Sequence, residues 1–262
     1  MEPGDGHVPA DRVEDYLLMS AQLVGSNALF LHIPKTGGTW VEQALIQTGI
    51  QTAAPPTIQG VTYRHCLLSM LEKRHPFVFT FVRHPLSWYE SWWKFQAGIW
   101  TVFEPGVWHP QRTLENCRSD DFSEFIRLCI EHEPAYVSRM FEWYIGPVGF
   151  EYVNYVGRYE SLADDLVHVL THLGETFDPD LLHRLDPVNV SRKACGEPVW
   201  DPALKRRMLE LEAPAIRRFY AEWIDLSYTP REYPTSTVEP KSLISRAFAR
   251  KRNNTIACNS TL

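Results

Sequence analysis

The stretch from residue 28 to residue 50 constrains the fold more than any other part of the chain. Residues 28–33 (ALFLHI) form a short apolar run that predicts a buried strand, and residues 40–50 (WVEQALIQTGI) place apolar side chains at helical spacing. The loop between them, PKTGGTW, has two adjacent glycines, which allow a tight turn from strand to helix. A buried strand that runs directly into a helix predicts an α/β fold.

The rest of the chain continues this alternation of strands and helices. Strands are predicted at 77–82 and 152–156, and helices at 86–95, 122–132, 162–173 and 202–223. Asp121 is in position to cap the helix at 122–132, and Pro214 can divide the last helical stretch in two. The pattern predicts a single α/β domain with a central parallel sheet flanked by helices.

Composition suggests where the domain begins and ends. With 262 residues, of which 44% are hydrophobic, the chain can bury one substantial core. We expect an N-terminal leader with a short helix (11–24) in residues 1–27 and the folded domain in residues 28–234. Residues 235–262 are polar and basic and predict a flexible tail.

Charge and cysteine content disfavour several classes of function. The formal net charge of -6 disfavours a nucleic-acid binder, which needs a broadly basic surface. The cysteines are scattered without a CxxC pair, so they predict reduced thiols rather than a zinc site or a disulfide framework. The acidic N-terminus has the pattern of neither a signal peptide nor a membrane anchor, and we expect a cytoplasmic protein without an integral membrane segment.

The loop PKTGGTW has the composition of an anion-binding site. Gly37 and Gly38 let the backbone approach an anion closely, and the first NH groups of the following helix point toward it. Lys35 adds a positive charge, and the hydroxyls of Thr36 and Thr39 add hydrogen-bond donors. A phosphate or sulfate group is the predicted ligand, and a plain tight turn is the alternative.

An ATP- or GTP-binding loop is the first functional alternative. That motif places its lysine after the glycines, as GxxxxGK followed by Ser or Thr, whereas Lys35 precedes both glycines here. The sequence also places no obvious carboxylate for Mg²⁺. The residue order therefore disfavours a nucleotide kinase.

The segment LFLHIPKTGGTW resembles the 5′-phosphosulfate loop of sulfotransferases that use 3′-phosphoadenosine 5′-phosphosulfate (PAPS), in particular their carbohydrate-type and bacterial branch. The resemblance implies a P-loop-like nucleotide-binding sulfotransferase fold, with PAPS as the co-substrate. It also implies that Trp40 lies beside the adenine. The residues that it places around the 5′-phosphate and the sulfuryl oxygens are Lys35, Thr36, Gly37, Gly38 and Thr39.

Two later segments resemble the same family. In FTFVRHPLSWYESWW, Arg83 ends the second predicted strand and Ser91 follows eight residues later, similar to the arginine and serine of the family's 3′-phosphate motif. The segment YVNYVGRYESLADDL is similar to the family's strand that ends in Tyr-Glu ahead of a helix, which implies that Tyr159 lies near the adenine. The resemblance therefore implies contacts with both ends of the nucleotide.

Transfer of a sulfuryl group to a hydroxyl needs a general base and stabilisation of the departing phosphate oxygen. Lys35 suits the second role, and we expect no metal. His65 resembles the family's catalytic histidine, because it lies between the phosphosulfate loop and the strand that ends at Arg83. His32 and Glu42 remain alternative bases.

The sequence predicts an enzyme that transfers the sulfuryl group of PAPS to a hydroxyl of a carbohydrate, a glycolipid or a small metabolite. A module that binds PAPS or its product, adenosine 3′,5′-bisphosphate (PAP), without catalysis is the alternative. An atypical nucleotide kinase, which would bind ATP with Mg²⁺, is less favoured.

Overall fold

The fold is built on a sheet of short strands. A computed structural model describes residues 20–54, 65–103, 109–186 and 196–221, which belong to one compact unit (Met1–Ile224). Most of the predicted leader and all of the predicted basic tail lie outside these residues. The strands of the described residues are β1 (Ala21–Leu23), β2 (Leu29–Phe30), β3 (Thr52–Ala53), β4 (Val78–Val82) and β5 (Tyr155–Arg158). They form a five-stranded sheet in the order β3-β1-β2-β4-β5.

The sheet is mixed, which corrects the expectation of a parallel sheet. β2, β4 and β5 are parallel, with Phe30 opposite Phe79 and Phe79 opposite Tyr155. β1 pairs antiparallel with both β2 and β3. β1 and β2 run in opposite directions because a short turn joins them, closed by the Leu23 NH, which donates to the Ala28 carbonyl at 2.8 Å.

β1 also shows that the predicted helix at 11–24 is wrong over its last residues. Ala21–Leu23 lies between β2 and β3 in the sheet, so strand pairing on both sides satisfies its backbone groups. The His32 NH donates to the Ser20 hydroxyl at 3.0 Å and joins this strand to the residues after β2. The sheet therefore includes residues that precede position 28.

Helices cover the sheet, and the predicted ones agree closely with the structure, whereas those at Tyr136–Ile145 and Pro179–Arg184 were not predicted. In the described residues the helices are α1 (Gly38–Gln47), α2 (Pro85–Gln96), α3 (Phe122–His132), α4 (Tyr136–Ile145), α5 (Leu162–His172), α6 (Pro179–Arg184), α7 (Pro202–Leu211) and α8 (Ala213–Phe219). The Asp121 carboxylate caps α3 by accepting the Glu124 NH at 2.7 Å, as predicted. Pro214 lies in the first turn of α8 and separates it from α7. No helix in the described residues is both long enough and apolar enough to cross a membrane.

The core has two parts because side chains alternate along the strands. Leu29 and Val78 belong to the larger hydrophobic cluster, which also contains side chains from α2, α3 and α4. Phe30 and Phe79 belong to the second cluster, with side chains from α1 and α5. The sheet therefore has helices on both faces, and the fold belongs to the α/β class.

The three parallel strands bring three loops to one edge of the sheet. Beyond the carboxyl ends of β2, β4 and β5 lie the loop to α1, then Arg83, and then Tyr159. In sheets of this kind, ligands bind at the carboxyl edge of the parallel strands. The segments singled out in the sequence analysis therefore meet at one place in the fold.

Candidate functional site

The loop before α1 has the backbone geometry of an anion site. Gly37 is the residue before α1 and has a φ of 92°, in the region that favours glycine. A Cβ atom at this position would lie only 2.8 Å from the Leu162 side chain and 3.0 Å from the Tyr159 ring. α1 has no side-chain cap and no acidic residue in its first turn. Its first NH groups are therefore available to an anion.

Lys35 is the cation of this loop. Its Nζ atom lies 4.1 Å from the centre of the Phe95 ring. Desolvation, with a smaller contribution from the positive charge of Arg83, lowers the pKa of the Lys35 ammonium to about 8. In the described part of the chain, Lys35 forms no ion pair with a carboxylate. A bound anion would supply the missing negative charge.

Arg83 connects this loop to α2. Its Nη1 atom donates to the Lys35 carbonyl at 3.4 Å, and its Nε atom donates to the Ser87 hydroxyl at 3.0 Å. The guanidinium carbon lies 4.1 Å from the centre of the Tyr159 ring. Burial lowers the pKa of Arg83, although nearby carboxylates oppose this effect. The structure thus brings Lys35, Arg83 and Tyr159 together.

Ser87 is a site residue that the sequence reasoning missed. It lies on the same side of α2 as Ser91, because residues four positions apart face the same way on a helix. Ser91 is buried one turn further along. The hydrogen bond to Ser87 places that hydroxyl directly beside the guanidinium. Its position four residues after Arg83 was the available signal.

The remaining loop residues mainly support its shape. The Thr36 hydroxyl is buried and donates to the Ile33 carbonyl at 2.8 Å, while Thr39 in α1 stays partly exposed. Trp40 is buried and packs in the second hydrophobic cluster. Trp88 was not predicted to act here, yet its indole NH donates to the Pro34 carbonyl at 2.8 Å. One hydrogen bond within the loop and one from α2 therefore support its conformation.

A cleft opens beside Arg83. Its volume is about 350 Å³, and it is lined by Arg83, His84, Leu86, Ser87, Glu90, Tyr159 and Glu160. The Glu160 carboxylate accepts hydrogen bonds from the His84 NH at 3.0 Å and the Tyr220 hydroxyl at 2.9 Å. Burial lowers the pKa of His84. The two glutamates of the cleft were not predicted from the sequence, because their partners are remote in the chain.

The predicted base His65 lies in a cluster of histidines. The centre of its ring is 5.0 Å from that of His32 and 5.5 Å from that of His109, with edge-to-face geometry in both contacts. The His65 Nδ1 atom lies 3.5 Å from the His32 carbonyl oxygen. The Tyr144 hydroxyl donates to the His65 carbonyl at 2.8 Å and anchors its backbone. His109 was missed because it is remote in sequence from the motifs.

The two alternative bases lie behind His65. Glu42 Oε1 is 3.3 Å from His32 Nδ1, and the residues are 8% and 3% exposed, respectively. The His32 ring also packs on α1, because a Cβ atom at Gly38 would lie 2.1 Å from the ring. The packing of the His32 ring therefore requires a glycine at position 38. The structure joins His65, His32 and Glu42 in one cluster next to the start of α1.

The described residues contain no group of three or more His, Cys, Asp or Glu side chains arranged to hold a metal ion. Cys66, Cys117 and Cys129 are free thiols. Comparisons of the chain with models of protein families, with curated proteins and with solved structures found no match. Function is therefore inferred from the geometry of the site itself.

Proposed function

We propose that this protein is a sulfotransferase that moves the sulfuryl group of PAPS to a hydroxyl of a carbohydrate, a glycolipid or a small metabolite. The main support is the link between Lys35 and Arg83 at the uncapped start of α1. Lys35 and Arg83 are both desolvated, and Lys35 has no carboxylate partner in the described residues. Two such cations favour a ligand with more than one anionic group. PAPS has such groups at both ends of its ribose.

We propose one orientation of the donor at these residues. The 5′-phosphosulfate would contact Lys35 and the NH groups that open α1, where the helix dipole also favours negative charge. The 3′-phosphate would contact Arg83 and the hydroxyls of α2, with Ser87 nearest to the guanidinium. The adenine would lie near Tyr159, whose ring is 38% exposed. We also propose that the fold is the P-loop-like fold of these enzymes and that the cytoplasm is its compartment.

The proposed reaction breaks the bond between sulfur and the oxygen that bridges to the 5′-phosphate. Sulfur forms a new bond to the acceptor oxygen, and PAP departs. The Lys35 ammonium would stabilise the negative charge that develops on the bridging oxygen. The acceptor proton passes to His65, because an Nδ1–H directed at the His32 carbonyl leaves Nε2 as the accepting nitrogen. His65 is partly exposed, as a residue that meets an acceptor must be.

A calorimetric comparison of ligands tests the donor site. We expect PAP to bind the wild-type protein at least about tenfold more tightly than AMP, which lacks the 3′-phosphate, because Arg83 supplies a charge-assisted contact. Arg83→Ala should remove most of this preference and leave AMP binding nearly unchanged. Arg127→Ala is the matched control, because Arg127 is an exposed arginine that pairs with Glu124 on α3.

Three outcomes would contradict the proposed donor. The first is equal binding of PAP and AMP by the wild-type protein. The second is an Arg83→Ala variant that keeps the full preference for PAP. The third is binding of ATP that depends on Mg²⁺ and is tighter than binding of PAP, which would favour a kinase. If PAP binds but no acceptor in a panel of hydroxylated glycans, lipids and phenols gains labelled sulfate, the non-catalytic binding module is favoured.

The affinity for PAP should fall as pH rises from 7 to 9. Lys35 has a pKa of about 8, so it is mostly charged at pH 7 and mostly neutral at pH 9. The phosphates of PAP stay ionised over this range, and the expected loss of affinity is about tenfold. Calorimetry at several pH values measures it. Lys35→Ala should bind PAP weakly with little dependence on pH, and an equally steep fall in that variant would contradict the assignment.

A further inference from the structure

Glu42 and His32 form a buried pair that the proposed reaction leaves without a role. Glu42 Oε1 and His32 Nδ1 are 3.3 Å apart, and both side chains are at least nine-tenths buried. An acid and a histidine removed from water stabilise each other only when the geometry and the surrounding contacts are favourable. Such a pair beside the predicted base suggests a function in the chemistry of that base.

His32 itself has no room to meet an acceptor. Its ring stacks on Phe30 with 5.8 Å between ring centres, and the edge that carries Nε2 lies against Gly38. Glu42 lies at Nδ1, and the ring of His65 packs against the His32 ring with edge-to-face geometry. A residue enclosed in this way cannot exchange a proton directly with a substrate, whereas it can act on His65 through contact.

We propose that Glu42 and His32 are positioning residues that orient His65 and support its positive charge. This inference rests on the proposed sulfuryl transfer, in which His65 becomes an imidazolium. The His32 carbonyl oxygen lies 3.5 Å from His65 Nδ1 and holds the proton on that nitrogen. The Glu42 carboxylate, which lies beside His32 Nδ1 in the same cluster, favours the protonated state of His65.

Among the residues that the structure describes, the other titratable groups near His65 do not supply this negative charge. Cys66 follows it in the chain, and burial raises the pKa of that thiol, which keeps it neutral near pH 7. His109 lies on another side of His65, with 5.5 Å between the ring centres, and adds no negative charge. Within the described residues, Glu42 is therefore the carboxylate that this cluster of side chains brings toward His65.

A nuclear magnetic resonance titration of the histidine rings tests the charge support without any substrate. Glu42→Gln should lower the pKa of His65 by about one unit, because it removes a carboxylate that is partly shielded from solvent. Glu131→Gln, at an exposed position on α3, is the control and should leave the pKa of His65 unchanged. The spectrum of His65→Ala assigns the signal. Glu42→Asp keeps the charge and should restore at least half of the shift.

Kinetics distinguish this inference from the proposed function. The probe is the release of sulfate from PAPS with water in the acceptor position, and Glu42→Gln should slow it about tenfold at pH 7 without changing the KM for PAPS. In a His65→Ala background, Glu42→Gln should have no further effect. The positioning role is overturned if Glu42→Gln leaves the pKa of His65 unchanged, or if it slows the reaction equally in the wild-type and His65→Ala backgrounds. Neither result contradicts the proposed sulfuryl transfer. Wild-type protein that releases no sulfate and sulfates no acceptor overturns the transferase itself, even if the pKa of His65 moves.

Discussion

Lys35→Met should stabilise the protein and abolish transfer. The pKa of Lys35 is lowered to about 8 in the folded state. At pH 7 the protonated ammonium is therefore less stable in the folded protein than in the unfolded chain. An apolar side chain of similar length removes that penalty but loses the contact between the cation and Phe95. We expect a net gain of about 1–2 kcal/mol and a higher Tm, together with a loss of at least about 100-fold in turnover.

Thermal unfolding at pH 7 and at pH 9.5 measures this effect and its cause. Stability of the wild-type protein should rise as pH increases from about 8 toward 10.5, because the unfolded chain keeps the Lys35 proton longer. The advantage of Lys35→Met should shrink over the same range. Lys73→Met is the control, because Lys73 is exposed and its replacement should change stability by less than about 0.5 kcal/mol. A lower Tm for Lys35→Met would show that Lys35 supports the fold rather than an anion.

Glu212→Ala should cause the largest loss of stability. The Glu212 carboxylate is fully buried between α7 and α8 and accepts the Tyr89 hydroxyl at 2.8 Å and the Val137 NH at 3.0 Å. It also accepts the Ser138 NH at 2.8 Å and the Ser138 hydroxyl at 2.7 Å. These bonds cap α4, whose own preceding residue offers no side-chain cap. Alanine leaves these donors buried without an acceptor, which should cost about 3–5 kcal/mol.

Chemical denaturation compares this variant with two others. Glu212→Gln keeps one acceptor oxygen and should lose about 1–2 kcal/mol. Glu210→Ala removes a neighbouring glutamate of α7 that pairs with Arg207 near the surface, and it should lose less than about 1 kcal/mol. A loss at Glu212→Ala no larger than that at Glu210→Ala would mean that water replaces the carboxylate, and that the network does not hold α2, α4 and α8 together.

The two predictions compare Lys35, which we propose binds a ligand, with Glu212, which supports the fold. Lys35 and Glu212 are both ionisable groups in desolvated surroundings. Glu212 is surrounded by protein donors, so the fold satisfies it completely. In the described part of the chain, Lys35 has an aromatic ring and a second cation as neighbours and no carboxylate partner, and we propose that a ligand balances its charge. A buried charge of the second kind indicates a binding site.

Local signals in the sequence predicted much of the helical structure. The cap at Asp121 and the break at Pro214 are confirmed, and α2 begins at the proline that follows Arg83 and His84. The strand-to-helix turn at Gly37 is confirmed with its positive φ. Such features depend on backbone preferences within a few residues, so the sequence specifies them directly.

The tertiary structure decided which of these features meet. Lys35 and Arg83 are 48 positions apart, and His32 and His65 are 33 positions apart, yet strand order brings both pairs together. The tertiary structure also determined that the sheet is mixed, because β1 lies between β2 and β3 and pairs with both strands.

The sequence by itself determined the strand-to-helix turn, most of the helices and the α/β class, since these follow from local conformational preference and hydrophobic periodicity. Only the tertiary structure determined that Arg83 contacts the Lys35 carbonyl, that His65, His32 and Glu42 form one cluster, and that Glu212 caps α4. Contacts of that kind depend on how side chains remote in the chain share a limited buried volume. These contacts form only when the sheet and the helices pack together, so local conformational preference does not specify them.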